Sequence, residues 1–500
     1  MVLSEILKRC TENECTSFTY ELVKGREDIF VTNVTSDSRK VEEDGVFVAI
    51  KGAVVDGHKF IGNVLGKAKA IVVDKDATLP ETPDDLTIIA TDNTRLALAL
   101  MSAANYGNPD KELFTIGITG TKGKTTTTYM IKNVLENCGI KTGLIGTIET
   151  IIGEEHIPSE NTTPESSQIH ETFRKMVNAG CEAVVMEVSS QGLKLDRTAG
   201  IMFNIGVFTN LEPDHIGPNE HADFEEYLEC KAKLFRQCTT GIVNADDEHV
   251  SKIIEKATCK IETYGIDKDA DLKADNIELF HDGGNIGLTY KLTGKAMEKD
   301  LDVKLNLPGR FSVYNSLSAI AVTRHFNVSN ENLLKTLLDV KVKGRIELVK
   351  VSDKFSLMID YAHNAMSLES LLTTLREYNP HRIVTLFGCG GNRSRDRRFE
   401  MGEVSGRLSD LTIITSDNPR DEEPEAIIQD IITGISKTNG KHVDIVNRKE
   451  AIKYAIANGE PGDIIVLAGK GHEDYQIIKG VKHHMDEREL IAEVLEELKR

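Results

Sequence analysis

The chain has 500 residues, 40% of them hydrophobic and 28% charged, which excludes collagen, a coiled coil and wholesale disorder. Aromatics make up 5% and tryptophan is absent, so stacking surfaces for single-stranded nucleic acid are not expected. The 60 Lys and Arg against 79 Asp and Glu give a formal net charge of −19, which repels nucleic-acid backbones and anionic lipid, so neither is expected as a partner.

At roughly 100–200 residues per domain, the length suggests three domains or two large ones. Val2, Leu3, Ile6 and Leu7 have helical spacing, interrupted by charges. That stretch lacks the apolar core and cleavage site of a secretory signal. No apolar run approaches the roughly 18 residues of a membrane span. A cytoplasmic location follows as an expectation. None of the eight cysteines forms a CxxC pair, so reduced, mostly packed thiols are expected.

Residues 1–110 mix apolar runs (29–31, 46–50, 70–73, 86–90) with turn signals and read as a small mixed α/β domain. A helix is predicted over 94–104, followed by Tyr106-Gly107-Asn108-Pro109-Asp110, which reads as a linker. Strands are then predicted at 183–186, 205–208 and 241–243, alternating with helices at 166–179 and 224–237. Such alternation implies a parallel sheet of βαβ units. Short strands at 287–291 and 301–307 and a His281-Asp282-Gly283-Gly284 turn interrupt it, and helices at 313–325 and 330–338 close the unit. Strands at 356–359, 382–387, 411–415 and 463–468 indicate a second parallel α/β domain. Its unusual residues follow the strands, where open α/β sheets bind ligands.

The strongest motif is Gly117-Ile118-Thr119-Gly120-Thr121-Lys122-Gly123-Lys124-Thr125-Thr126-Thr127, between a strand and a helix expected over 129–138. Gly120 and Gly123 let backbone N–H groups face a phosphate, with Thr121, Lys122 and Thr126 in the same loop. Lys124 suits the β- and γ-phosphates of ATP and Thr125 a Mg2+ ion. The strict Walker spacing fails, because Ile118 stands where the first glycine belongs. The loop alone implies nucleotide binding and names no reaction; a P-loop binding or switch protein without catalytic turnover stays open.

An apolar strand ends at Glu187, where a P-loop domain places a second Mg2+ ligand; a solvated strand-end acid is the plainer reading. His215 could bind metal or hydrogen-bond structurally. Lys231, from its residues alone, reads as a solvated helix lysine. Asn161-Thr162-Thr163-Pro164 reads as a helix N-cap. Arg393, Arg395, Arg397 and Arg398 lie within six residues beside glycines. At a strand end in an acidic chain, such a run suits a grip on carboxylates or phosphates.

The phosphate loop resembles that of the Mur ligase family and its folylpolyglutamate-ligase relatives. Met186-Glu187-Val188-Ser189-Ser190 and Phe208-Thr209-Asn210-Leu211 through Asp214-His215 resemble further family signatures, and imply Glu187 and His215 as magnesium ligands. Tyr227 through Phe235 resembles "YxxAKxxLF", which implies that Lys231 is carbamylated and helps hold magnesium. The family's His and Asn are replaced by Gln191 and Ser312, and its Pro by Ala365. Asn161, Thr162, Thr163, Ser189 and Arg197, with Ser38 of the Asp37-Ser38-Arg39 turn, are implied contacts of a UDP-muramyl dipeptide. Asn315, Arg345 and Asp360 are implied ATP contacts. Asp417-Asn418-Pro419-Arg420 resembles the "DNPRxEDP" motif of members that add meso-diaminopimelate. Arg420 matches the distal carboxylate of that amino acid, and lysine lacks this carboxylate. Gly469-Lys470-Gly471-His472-Glu473 resembles "GKGHExYQ", which implies that Arg393, Gly469 and Glu473 complete the amino-acid pocket.

The resemblance implies an α/β protein of three domains. They are a small mixed α/β N-terminal domain (1–110), a central P-loop parallel-sheet ATPase domain (111–340) and a C-terminal Rossmann-like α/β domain (341–500). The implied activity is ATP-dependent amide ligation in peptidoglycan precursor synthesis, through an acyl-phosphate. A paralogue adding lysine or another amino acid stays open.

Overall fold

The computed structural model describes all residues except 53, 54, 219, 283 and 500. The predicted turn at Gly283 therefore falls partly outside the described residues. Two compact units emerge: Met1–Lys273 with Tyr314–Asn332, and Ala274–Val313 with Leu333–Arg500.

The first unit opens with the helix Leu3–Thr11, which buries Leu3, Ile6, Leu7 and Cys10 on the stripe their spacing predicts. Five strands follow: β1 (Glu21–Lys24), β2 (Val34–Thr35), β3 (Gly45–Val48), β4 (Ala68–Asp74) and β5 (Thr87–Thr91). They form a sheet in the order β1-β5-β4-β3-β2. The apolar run 29–31 contributes only an isolated bridge, Val2 to Phe30. The helix Thr94–Asn105 starts at Asn93, whose side chain accepts from the N–H groups of Arg95 and Leu96. The expected linker is instead packed structure. Pro109–Lys111 forms a 3-10 turn, Pro109 and Asp110 are buried, and Arg174 Nε donates to Tyr106 O across 2.9 Å. Asn108, in αL conformation, and Pro109 open this short turn, which composition alone reads as a spacer.

The larger sheet of this unit contains β6 (Phe114–Thr119), β7 (Thr142–Ile145), β8 (Glu149–Ile152), β9 (Glu155–Pro158), β10 (Ala183–Glu187), β11 (Phe203–Phe208), β12 (Cys238–Asn244) and β13 (Lys260–Gly265). Their order is β13-β12-β11-β6-β10-β7-β8-β9. Pairing is parallel from β13 to β7 and antiparallel at β7-β8-β9. The central strand β6 lies between β10 and β11, with Ile118 opposite Glu187 and Thr119 opposite Phe208. The loops after these three strands thus leave adjacent strand ends, where open α/β sheets bind ligands. All five residues of β10 are buried, as expected of a parallel strand covered on both faces.

The chain enters the second unit within β14 (Leu272–Asp282) and continues through the antiparallel pair β15 (Asn285–Thr293) and β16 (Leu301–Leu305). A six-stranded sheet is built from β17 (Glu347–Leu348), β18 (Ser356–Asp360), β19 (Ile383–Phe387), β20 (Leu411–Ile414), β21 (His442–Asp444) and β22 (Ile464–Ala468). Its order is β17-β18-β22-β19-β20-β21, parallel except for β17. A small hairpin, β23 (Tyr475–Ile478) and β24 (Val481–His484), follows. The eight cysteines are unpaired and five are buried. Among the described residues, no helix is long and apolar enough to cross a membrane.

Candidate functional site

In the first unit the phosphate loop turns from β6 into the helix Lys124–Asn137, five residues before the helix start expected from sequence. The threonine run disguises that first turn. Gly120 has φ 148°, and a Cβ there would lie 1.9 Å from Thr209 Oγ1. Gly123 has φ 86°, and a Cβ would lie 2.5 Å from Asn315 Oδ1. Both glycines are therefore required by close approach as well as by backbone conformation. Asn210 anchors the loop: its Oδ1 accepts from Lys122 N (2.9 Å) and its Nδ2 donates to Lys122 O (3.0 Å). Lys122 pairs with Glu212 at 2.5 Å, and Thr126 is half-buried.

Lys124 Nζ donates to Gly120 O (2.8 Å) and Thr121 O (3.0 Å). Lys231 Nζ reaches the same Gly120 carbonyl at 2.8 Å. Lys231 is 1% exposed and lies 4.5 Å from the Tyr227 ring centroid. This corrects the solvated-lysine reading. The helix Phe224–Ala232 turns that residue inward beneath the loop, which a charged letter in a short helix does not reveal. Burial, and then the Lys124 cation, hold the Lys231 amine well below the usual lysine range. Tyr227 is fixed by a 3.0 Å hydrogen bond to Thr121 Oγ1, and burial pushes its hydroxyl up to about 12.

Glu187 is buried at the end of β10, not solvated. It accepts from Thr125 Oγ1 (3.1 Å), Thr147 N (2.8 Å) and Thr147 Oγ1 (3.0 Å). Thr147 was not singled out from sequence, although it follows an apolar strand and Gly146 as loop residues do. Thr162 Oγ1 lies 3.0 Å from Thr147 Oγ1. Thr163 does not cap the next helix; Glu165 occupies the N-cap with no side-chain hydrogen bond. Buried Thr163 instead donates to Glu187 O (2.8 Å) and accepts from Ser189 N (2.9 Å), tying the two loops together. Ser189 caps the helix Ser190–Lys194 by accepting from Gly192 N. Arg197 donates to Thr163 O (2.8 Å) and pairs with Glu165. Asn161 is exposed. Ser38 lies half-buried in a turn where Arg39 pairs with Asp37 at 2.8 Å.

His215 has φ 55° and is largely exposed, with Nδ1 3.2 Å from Glu220 Oε1. The described residues contain no cluster of three or more His, Cys, Asp or Glu side chains arranged to hold a metal. Thr125 and Glu187 nevertheless form an adjacent hydroxyl and carboxylate, the oxygen donors a hard cation uses beside phosphate.

The second unit gathers another set at the ends of β18, β22, β19 and β20. Asp360 accepts from Ile346 N (2.9 Å) and Ala362 N (2.8 Å); burial raises its carboxyl while Arg345 opposes the rise. Arg345 lies over the Tyr361 ring at 4.6 Å. Asp417 accepts from Asn418 N at 2.6 Å. Pro419 O packs against Gly391, where a Cβ would lie only 1.9 Å away. Arg420 Nη1 donates to Gly391 O at 2.6 Å. Gly469 has φ 105° and donates to Asp360 O.

Two members of the arginine run prove structural. Arg398 is 1% exposed and pairs with Glu422 (2.7 Å) and Asp430 (3.0 Å), and Arg395 also pairs with Asp430. Only Arg393 and Arg397 remain exposed without such a pair. The carboxylates that absorb the others lie 24 to 35 residues away, so spacing could not reveal them. Sequence reasoning also passed over Lys470, which is fully buried beside Asn418 and Glu473.

Family profiles match along the chain: "Mur ligase family, catalytic domain" over residues 30–106, "Mur ligase middle domain" over 118–323 and "Mur ligase, glutamate ligase domain" over 344–471. The UDP-N-acetylmuramoyl-L-alanyl-D-glutamate–2,6-diaminopimelate ligase of Clostridium perfringens is 42% identical, covering 99% of this chain and 100% of that protein. The ligase of the same name from Clostridium tetani is 41% identical, covering 100% of both chains. A solved structure of a ligase of that name superposes with a TM-score of 0.70 at 27% identity, covering 96% of this chain and 98% of that one. The ADP complex of MurF ligase from Thermotoga maritima shares the fold, with a TM-score of 0.55 at 18% identity over 93% of this chain and 97% of that one.

Proposed function

This chain is a member of the Mur ligase family, an ATP-dependent C–N ligase with that family's three-domain α/β architecture, and we propose that it joins meso-diaminopimelate to UDP-N-acetylmuramoyl-L-alanyl-D-glutamate in cytoplasmic peptidoglycan precursor synthesis. The carrying observation is the Asp417–Arg420 turn, set in a chain that matches diaminopimelate ligases over 99% of its length. We place the domain boundaries at 110/111 and 340/341.

A carboxylate is too poor an electrophile for an amine, so the glutamate γ-carboxylate is first phosphorylated by ATP. Gly120, Thr121, Lys122, Gly123 and Thr126 form the loop around the phosphates, the N–H groups of Thr121 and Lys122 bracing it on Asn210, and Lys124 offsets the phosphate charge. Asn315, Arg345 and Asp360 contact the nucleotide. Thr125 and Glu187, with His215 and a carbamylated Lys231, would hold magnesium, which when bound neutralises charge on the transferring phosphoryl group. Lys231 is suited to carbamylation because its lowered pKa leaves more amine neutral. Ser38, Asn161, Thr162, Thr163, Ser189 and Arg197 bind the UDP-muramyl dipeptide. Arg393, Asp417, Asn418, Pro419, Arg420, Gly469 and Glu473 hold diaminopimelate, whose free amine attacks the acyl-phosphate.

The test is phosphate release from ATP with the dipeptide substrate and, in turn, diaminopimelate, lysine and ornithine. Release that needs both the dipeptide and diaminopimelate supports the reading. Equal turnover with lysine removes the amino-acid assignment, and release independent of both substrates removes the ligase assignment.

A further inference from the structure

We propose that Lys470 is a positioning residue for the amino-acid substrate, its buried ammonium fixing the orientation of Asn418 and Glu473. The inference rests on the reading above that these two residues line the amino-acid pocket.

Lys470 follows β22 and is 0% exposed. An ammonium carries three N–H donors. Three acceptors meet it: Glu473 Oε2 at 2.9 Å, Asn418 Oδ1 at 3.1 Å and Tyr475 O at 2.5 Å. No donor is left over for a ligand, so any influence on the substrate passes through the residues that Lys470 holds.

Those residues are locked in a closed triangle. Asn418 Oδ1 accepts a second hydrogen bond from Ile477 N at 2.9 Å. Two donors at Oδ1 fix the amide flip, which sends Nδ2 toward Glu473 Oε2 at 3.0 Å. Glu473 Oε2 therefore receives both Lys470 and Asn418. Among the described residues, no hydrogen-bond donor meets Oε1. One oxygen of the carboxylate is held by the protein and the other is left in a fixed direction for a ligand ammonium. Pre-orientation of this kind lowers the ordering cost of binding. A buried lysine also needs an anion beside it, so the pair is mutually dependent.

The test is a double-mutant cycle on the full-length enzyme with Lys470→Met, Glu473→Gln and both together, reading the KM of each substrate. Lys470→Met is expected to raise the KM for the amino acid about tenfold, the scale of one charge-assisted hydrogen bond, with the KM values for ATP and dipeptide within about twofold. In the Glu473→Gln background the same change is expected to add little, because the group through which it acts is already altered. A merely structural lysine would raise all three KM values, or its effect would multiply with that of Glu473→Gln. Either outcome overturns the proposal. Lys470→Gln, which keeps a donor, is run in parallel in case the methionine variant does not fold, and the same criteria apply. The amino acid used is whichever one supports wild-type turnover. Failure of the diaminopimelate assignment thus appears in the wild type, and failure of the Lys470 role appears only in the cycle.

Discussion

Arg420 donates from Nη1 to the carbonyl oxygen of Gly391 across 2.6 Å, which pins its guanidinium against the glycine loop after β19. A Cβ at Gly390 would lie 2.7 Å from the same nitrogen, so the loop is shaped to that side chain. The remaining N–H groups of the fork can then meet a carboxylate in a set direction.

Arg420→Ala is accordingly expected to lower kcat/KM for diaminopimelate by about 30-fold or more, equivalent to about 2 kcal/mol. The KM for ATP should change little. Steady-state kinetics with each substrate varied in turn checks this, and unchanged diaminopimelate kinetics would remove Arg420 from the pocket.

Arg398 is expected to matter for stability instead of substrate affinity. Arg398→Met leaves Glu422 without its arginine and Asp430 with Arg395 alone, at a cost of about 1–3 kcal/mol. A fall in Tm of several degrees should accompany an amino-acid KM close to wild type. A variant with native Tm and impaired substrate binding would return Arg398 to the ligand site.

Thr163→Val removes the hydroxyl that bridges Glu187 O and Ser189 N. One buried and one half-buried backbone group lose a partner, so a stability loss of about 1–3 kcal/mol is expected. Urea unfolding should show a lower midpoint with the slope unchanged. The KM for the dipeptide substrate should rise as the two loops separate.

His170 makes the fold sensitive to acid. Its ring is fully buried, neither nitrogen has a hydrogen-bond partner among the described residues, and burial lowers its pKa from 6.5 to about 3. Between those values the unfolded chain binds a proton that the folded chain does not. The stabilisation is therefore complete above about pH 6.5 and falls by ~1.4 kcal/mol per unit as pH drops toward about 3. His170→Leu should flatten the dependence of unfolding free energy on pH between 6.5 and 4. An unchanged slope would assign acid sensitivity elsewhere.

Strand and helix alternation was legible because each element repeats its own period, and the phosphate loop because its glycines and lysine lie in one short stretch. Glu187 could be placed at a strand end for the same reason. What stayed hidden depends on partners distant in the chain. Arg398 looks like its exposed neighbour Arg397 until Glu422 and Asp430 fold against it. Lys231 becomes buried only when its helix packs beneath Gly120. Thr163 reads as a capping residue because local sequence cannot show that Glu187 and Ser189 lie beside it. Lys470 stands between two glycines, a setting that suggests a loop, although its ammonium is enclosed.

The backbone passes from the first unit to the second after Lys273, returns at Tyr314 and leaves again after Asn332. Neither unit is therefore one uninterrupted segment. A nascent chain that has released its first 273 residues from the ribosome still lacks the Asn315 side chain that lies against Gly123. The loop at Gly123 cannot reach its final packing until part of the second unit has been synthesised. A deletion that removes residues 274–313 takes out the path by which the first unit is completed.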